Sequence, residues 1–228
     1  METNISKRLL DVADYIPYGV KLLDVGSDHA YLPIFLVEQD LITSAIAGEV
    51  AKGPYNSALT NVTESGLSDS VEVRLADGLA AFEPEDGIGA ISVCGMGGYL
   101  ITEILTAGLD KLTAGQRLIL QPNNREDDVR SWLSANGFAI IAEKVMIENH
   151  KFYEIIVAEA GEQKLTAAEV RFGPCLLRGK SETFLRKWQR ELAKLEVALT
   201  QVPSANQADR KALVQRIDAI KEAISYES

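Results

Sequence analysis

Cysteine is scarce: the chain holds only Cys94 and Cys175, too few for a disulfide-dense scaffold and without the clustered Cys/His spacing of a structural zinc site. No metal is expected, and a reducing cytoplasm suits such usage. Apolar runs of about 18 residues, long enough to cross a bilayer, are missing too. The opening METNISKRLL is polar and soon followed by Asp11 and Asp14, which argues against a signal peptide. A soluble, unprocessed chain with no membrane partner is expected. Basic charge is also in deficit: 23 Lys and Arg against 33 Asp and Glu give a net charge of −10, which as an average argues against a polyanionic partner.

The average hides an asymmetry. Residues 161–228 carry 12 Lys/Arg and 9 Asp/Glu, whereas residues 1–160 carry 11 and 24. Within 178–194, Arg178, Lys180, Arg186, Lys187, Arg190 and Lys194 face only Glu182 and Glu191, a local surplus able to attract phosphate. At 228 residues the length suits one domain with an appendage. The boundary is expected at 160/161, with a sheet domain over 1–160 and a helical appendage over 161–228.

Short aliphatic runs bounded by Gly, Pro, Asn or Asp recur at 20–25, 44–50, 71–75, 89–94, 117–121, 138–148 and 152–159. The first five are separated by stretches long enough for a crossover helix, so they predict a parallel sheet covered on both faces. The last two are joined only by Asn149, His150 and Lys151, which predicts an antiparallel hairpin. The fold class expected is α/β: a doubly wound, Rossmann-like sheet in the order of class I methyltransferases. Ile5, Leu9, Val12, Ala13 and Ile16 predict a leading amphipathic helix. After Gly161, Leu185, Trp188, Leu192, Leu195 and Leu199, answered by Leu213, Ile217, Ile220 and Ile224, predict a coiled-coil hairpin over about 179–226. Its seam could close within one chain or between two, so no oligomeric state follows.

The loop LLDVGSDHAYLP (22–33) ends a strand in Asp24 and passes through Gly26, Ser27, Asp28 and His29 into a helix. A pyrophosphate-binding loop would carry G-x-G-x-x-G; here there is one glycine and an aspartate. Such a loop repels pyrophosphate but tolerates an ammonium and a sulfonium, which favours S-adenosylmethionine (SAM) over NAD. His29 is open between a cofactor contact and a structural role. Glu49 ends the second strand, where doubly wound folds place the acid that receives ribose hydroxyls. After the third strand, Asp77 and Gly78 can meet an adenine amine, with Leu79 packed on the ring. Strand four ends in Cys94-Gly95-Met96-Gly97-Gly98-Tyr99, a glycine-rich loop where two ligands could meet. Cys94 lacks partners for a nucleophile and is expected to be a small strand-end residue. Strand five ends in Gln121-Pro122-Asn123-Asn124-Arg125, whose amides can pair with a base edge, although Asn124 could equally cap the next helix. His150 is expected on the surface.

The strings DVGSDHAYLP (24–33), GEV with GP (48–54), ADGL (76–79), CGMGG (94–98), LQPN (120–123) and KFYEII (151–156), with KRL near the start, resemble the TrmK family. That resemblance implies a bacterial tRNA (adenine-22-N1)-methyltransferase using SAM. It places Asp24, Gly26, Ser27, Asp28 and His29 in the cofactor loop, Glu49 and Val50 at the ribose, and Asp77, Gly78 and Leu79 at the adenine. Gly95, Met96 and Gly97 would border the methyl group. Lys7, Arg8, Arg186, Lys187 and Arg190 are the expected tRNA contacts.

Adenine N1 has an in-plane lone pair, so direct in-line attack needs no base. Catalysis then rests on alignment and on tolerance of positive charge, to which Asp28 is assigned. N1 lies on the Watson–Crick edge, so the base must be unpaired or flipped. Tyr31 or Tyr99 could stack on it, with Asn123 and Asn124 reading its edge. Two alternatives stay open: a SAM enzyme acting on a small molecule or protein, and a non-catalytic nucleic-acid-binding module.

Overall fold

The computed structural model describes residues 5–225. Residues 1–4 of the expected sheet domain and Tyr226 at the end of the expected hairpin lie outside them. The aliphatic runs become β1 (Lys21–Val25), β2 (Ser44–Glu49), β3 (Val71–Leu75), β4 (Ile88–Met96), β5 (Arg117–Pro122), β6 (Phe138–Glu148) and β7 (Lys151–Ala160). They form one seven-stranded sheet in the order β3-β2-β1-β4-β5-β7-β6. Neighbours among the first five are parallel, and β7 runs antiparallel to both β5 and β6. Strand β1 pairs with β2 on one side and β4 on the other, so the chain order reverses there and a crevice opens at the carboxyl ends.

Period-two alternation covers both faces. Leu23, Leu118 and Leu120 join one core cluster while Leu22 and Ile119 join the other. Helices α4 (Gly98–Ala107) and α5 (Glu126–Ala135) contribute Ile101, Leu105, Val129 and Leu133 to the first. Helices α1 (Lys7–Ala13), α2 (Tyr31–Glu38) and α3 (Lys52–Glu64) contribute Val12, Leu32, Leu36, Ala58 and Val62 to the second.

The appendage is the pair α8 (Glu182–Gln201) and α9 (Gln207–Ile224). Its seam closes within the chain: Trp188, Leu195, Ile217 and Ile220 are buried together, with Leu185, Leu192, Leu199, Leu213 and Ile224 packed against them. Arg210 closes the turn by donating to the carbonyls of Leu199 (3.1 Å) and Val202 (2.9 Å). The segment just after β7 packs back on the sheet. Helices α6 (Ala167–Phe172) and α7 (Pro174–Gly179) pack against α5 and β6, and Phe172 shares its cluster with Val145 of β6 and Trp188 of α8. The arm is therefore rooted in the sheet.

That root also holds charge. Arg130 of α5 is fully buried and pairs with Glu143 of β6 at 2.7 Å and with Glu154 of β7. Lys187 of α8 reaches Glu154 at 2.6 Å and Glu126 at 2.9 Å. Burial acts to raise the Glu154 pKa, but the charges of Arg130 and Lys187 outweigh it and hold the carboxyl below its ordinary range. Glu143, with the guanidinium of Arg130 and little else charged to offset its burial, is pushed up.

Candidate functional site

Three strand ends meet at the crevice. Asp24, at the end of β1, is 4% exposed. Its two carboxylate oxygens accept from Ser27 Oγ and Ser92 Oγ, each at 2.6 Å. Burial pushes its pKa up to about 6, against the pull of those two hydroxyls. Glu49, at the end of β2, is buried and accepts from the Asp28 backbone N–H at 2.5 Å; burial raises its pKa as well. Two poorly solvated carboxylates side by side make a place where a cation is stabilising.

Between them the backbone is unusual. Asp28, His29 and Ala30 all have positive φ (40°, 73° and 59°), a conformation costly for residues with a Cβ. The surroundings hold it: Glu49 takes the Asp28 N–H, and Asn61 of α3 donates to the His29 carbonyl at 2.9 Å. The result turns the Asp28 side chain outward, 84% exposed, and stacks His29 on Tyr31 with ring centroids 5.3 Å apart. Gly26 is required beside it, because an added Cβ would lie 2.2 Å from Met96 Cε and its φ is +64°.

The β4 loop is tied to the end of β5 by a buried amide. Gln121 Oε1 accepts from the Gly95 N–H (3.1 Å) and from Arg8 Nη1 (2.5 Å), while its Nε2 donates to the Pro122 carbonyl and to Asn123 Oδ1. Asn123 Nδ2 donates to the Gly95 carbonyl at 2.6 Å, and its N–H to the Met96 carbonyl at 2.7 Å. Gly98 lies so close to the next loop that a Cβ would sit 2.2 Å from the Arg125 carbonyl oxygen. Cys94 lies in this junction with its thiol pKa raised by burial and by Asp24, the opposite of an activated nucleophile.

The crevice thus brings together Asp24, Gly26, Ser27, Asp28, His29, Glu49, Gly95, Met96, Gly97 and Asn123. Asp77 and Val50 are exposed beside it, and Gly78 opens a short 3-10 turn after Asp77. Three of the expected residues are already engaged within the protein. Leu79 does not present its side chain to the crevice: it is 2% exposed and packed in the core against Gly108. Arg8 is partly buried, donating to Gln121 and lying 5.7 Å from the Tyr153 ring. Lys187 is 18% exposed and held by two carboxylates at the arm root, because its position on α8 faces the sheet. Asn124 does not cap α5, whose N-cap is Arg125 with no side-chain hydrogen bond. Tyr31 (41%) and Tyr99 (56%) are exposed, as are Lys7, Arg186, Arg190 and His150. Ser92 escapes sequence reasoning because it sits mid-strand in an aliphatic run; Gln121, expected among the amides that could meet a base edge, is buried and ties the β4 loop to the end of β5 instead. A polar residue at a core position was the available signal.

A cleft of about 1230 Å³ starts at Asn123 and Asn124 and runs beneath the arm, past Tyr153 and Trp188 to Arg190 and Arg216.

The family profile TrmK, described as tRNA (adenine(22)-N(1))-methyltransferase, matches residues 22–222. The chain is 41% identical to the tRNA (adenine(22)-N(1))-methyltransferase of Bacillus subtilis, with 99% of each covered. It is similar in structure to Streptococcus pneumoniae Sp1610 in complex with S-adenosyl-L-methionine, with TM-score 0.91 and 55% identity over 97% of this chain and 100% of that one. M. capricolum TrmK, in complex with S-adenosyl-homocysteine, gives TM-score 0.85 and 28% identity over 96% and 97%.

Proposed function

The chain belongs to the TrmK family of tRNA (adenine(22)-N(1))-methyltransferases, and from that premise we propose that its crevice binds SAM and methylates N1 of adenine 22 in tRNA, in the cytoplasm. The observation that carries this reading is continuity along one sheet edge. The acid-lined loop of Asp24, Asp28 and Glu49 adjoins the Gly95–Asn123 junction, and Asn123 opens onto the cleft beneath the arm.

The cofactor fits what is there: the two buried carboxylates suit a ligand carrying an ammonium and a sulfonium, beside a turn that Gly26 makes at φ +64°. When bound, SAM supplies a methyl group that passes to the in-plane lone pair of N1 in one displacement. Asp24 and Ser27 support the loop facing the amino-acid end. Glu49 accepts hydrogen bonds at the ribose through the carboxylate oxygen that Asp28 leaves free. Asp77 and Gly78 border the adenine. Gly95, Met96 and Gly97 shape the passage between donor and acceptor, and Asn123, braced on the Gly95 carbonyl, positions the target base. Asp28, exposed at the rim, offers negative charge where the purine becomes cationic. No side chain needs to remove a proton, because the attacking nitrogen carries none.

The test is transfer of labelled methyl from SAM to unmodified tRNA transcripts bearing adenine or guanine at position 22, with the product mapped by reverse-transcription arrest. A stop that disappears on substitution supports the reading. SAM binding without transfer to any tRNA would favour a different acceptor.

A further inference from the structure

The cleft beneath the arm holds a cation that nothing in the protein satisfies. Arg171 of α6 lies 5.3 Å from the Phe172 ring and 5.7 Å from the Trp188 ring. Among the described residues its guanidinium has neither ion pair nor hydrogen bond, and its Nε is buried without a partner. Trp188, 7% exposed and lining the same cleft, has an indole N–H that is also buried and unpartnered. Two orphaned donors on one wall are expensive.

The neighbouring charges relieve this only in part: Glu191 and Asp127 favour the guanidinium, but burial and Arg216 outweigh them. Arg216 of α9 lies close enough to oppose the charge of Arg171, and burial adds to that, so the guanidinium pKa is lowered. Arg216 meets Glu191 only at 3.8 Å and is half exposed, leaving its donors largely free. Of the carboxylates lining the cleft, Glu126 is taken by Lys187, and Glu191 meets both Lys194 (3.6 Å) and Arg216 (3.8 Å). Cations outnumber carboxylates along the cleft, and Arg171 lies against aromatic faces with its hydrogen-bonding edge unspent. A planar guanidinium fixed this way is shaped for a phosphate.

We infer that Arg171 and Arg216 form a seat for one backbone phosphodiester of the RNA substrate, fixing the line along which the strand runs beneath the arm toward Asn123. The inference rests on the proposed tRNA reading and adds the place where substrate affinity and register are set. A phosphate between the two arginines removes their mutual repulsion and occupies donors that otherwise have nothing to bond. The seat reads no sequence and acts by positioning.

The experiment uses the full chain with R171Q, R216Q and R171K. It measures steady-state methyl transfer to a tRNA transcript at saturating SAM, SAM affinity by calorimetry, and tRNA binding from 50 to 200 mM salt. R171Q and R216Q should each raise the KM for tRNA about tenfold and reduce the salt slope of binding by about one. kcat at saturating tRNA and SAM affinity should stay within about twofold. R171K should restore the slope but not the full KM, since an ammonium lacks the planar fork. An unchanged KM and slope in R216Q, whose half-exposed side chain can be replaced without disturbing the fold, overturns the seat. So does orthophosphate binding that depends on Arg171 while the KM for tRNA is unmoved, because the seat then serves a free anion. Wild-type protein that binds SAM but methylates no tRNA overturns the functional reading itself, an outcome distinct from wild-type transfer that survives both substitutions.

Discussion

Lys187 of the arm and Glu154 of the last strand are joined at 2.6 Å, and this contact makes the position of the arm a property of the sheet. Glu154 is 1% exposed and sits between two cations, Arg130 and Lys187. E154Q leaves both facing a neutral amide in a dry site and should lower unfolding free energy by about 3–5 kcal/mol. K187M should cost less than half as much, because Glu154 keeps Arg130 and a methionine fills the same space. Urea denaturation of both variants at neutral pH measures the difference. Equal losses would mean that the charge of Lys187, and not that of Arg130, is what Glu154 depends on.

On the proposed SAM reading, Asp24 links stability and cofactor binding with opposite signs. Its folded pKa of about 6 stands above the ordinary 3.8, so between about pH 4 and 6 the folded chain holds a proton that the unfolded chain has released. Stability from this group is therefore greatest at low pH and falls as pH rises through that window, by about 3 kcal/mol in total. D24N should flatten the dependence and melt higher than wild type at pH 7.5. SAM affinity should behave inversely, rising from pH 5 to 7 with an inflection near 6 in wild type and staying weak in D24N. Calorimetric titration across that range, paired with thermal melts, reads both; a D24N protein that binds SAM normally separates Asp24 from the cofactor.

Gly26 and Gly98 should fail in different ways when a methyl is added. At Gly98 the methyl meets the Arg125 backbone carbonyl at 2.2 Å, which cannot swing aside, and the Gly98 N–H bond to the Asn124 carbonyl at 3.0 Å is strained with it. G98A should lose about 1–3 kcal/mol of stability. At Gly26 the obstacle is the flexible end of Met96, so the backbone cost is about 1–2 kcal/mol, but the displaced Met96 enters the crevice. G26A should weaken SAM binding about tenfold or more while melting closer to wild type than G98A does. Melting temperature and SAM affinity measured on both variants separate the two effects.

Most of the frame was legible because it is written in local pattern. The run VEVRL became β3 over 71–75 as expected, and the separation of the strands by crossovers dictated the parallel order. Asp24, Glu49 and the Gly95 loop stand out in the sequence because acids and glycines at strand ends have few structural uses. What escaped was long-range pairing. Arg130 looks like any helical cation until β6 and β7 bring Glu143 and Glu154 to it. Leu79 follows an Asp-Gly turn in sequence, yet the short 3-10 turn swings it into the core. Lys187 and Arg186 are adjacent in the chain and about 100° apart on the helix, so one meets the sheet and the other solvent. Arg171 carries no local signal: its isolation depends on which groups the fold leaves out of reach.

Asn123 offers the sharpest test of catalysis without a base. Its amide fastens the end of β5 to the Gly95 carbonyl at 2.6 Å, across the passage through which donor and acceptor must align. N123A removes that brace and leaves Gly95, at φ +76°, free to shift. Displacements of about 1 Å at a reacting centre cost on the order of a hundredfold, so kcat should fall about 10–100-fold. SAM affinity should change by less than about threefold, since the Asp24 and Glu49 loop is untouched. N123D cannot donate to the Gly95 carbonyl and should resemble N123A, although it adds a carboxylate that could act as a base. Rescue by N123D with a new basic limb in the pH profile would mean that a proton is removed during transfer. Parallel pH profiles for wild type, N123A and N123D, differing only in height, are the outcome required when alignment alone carries the rate.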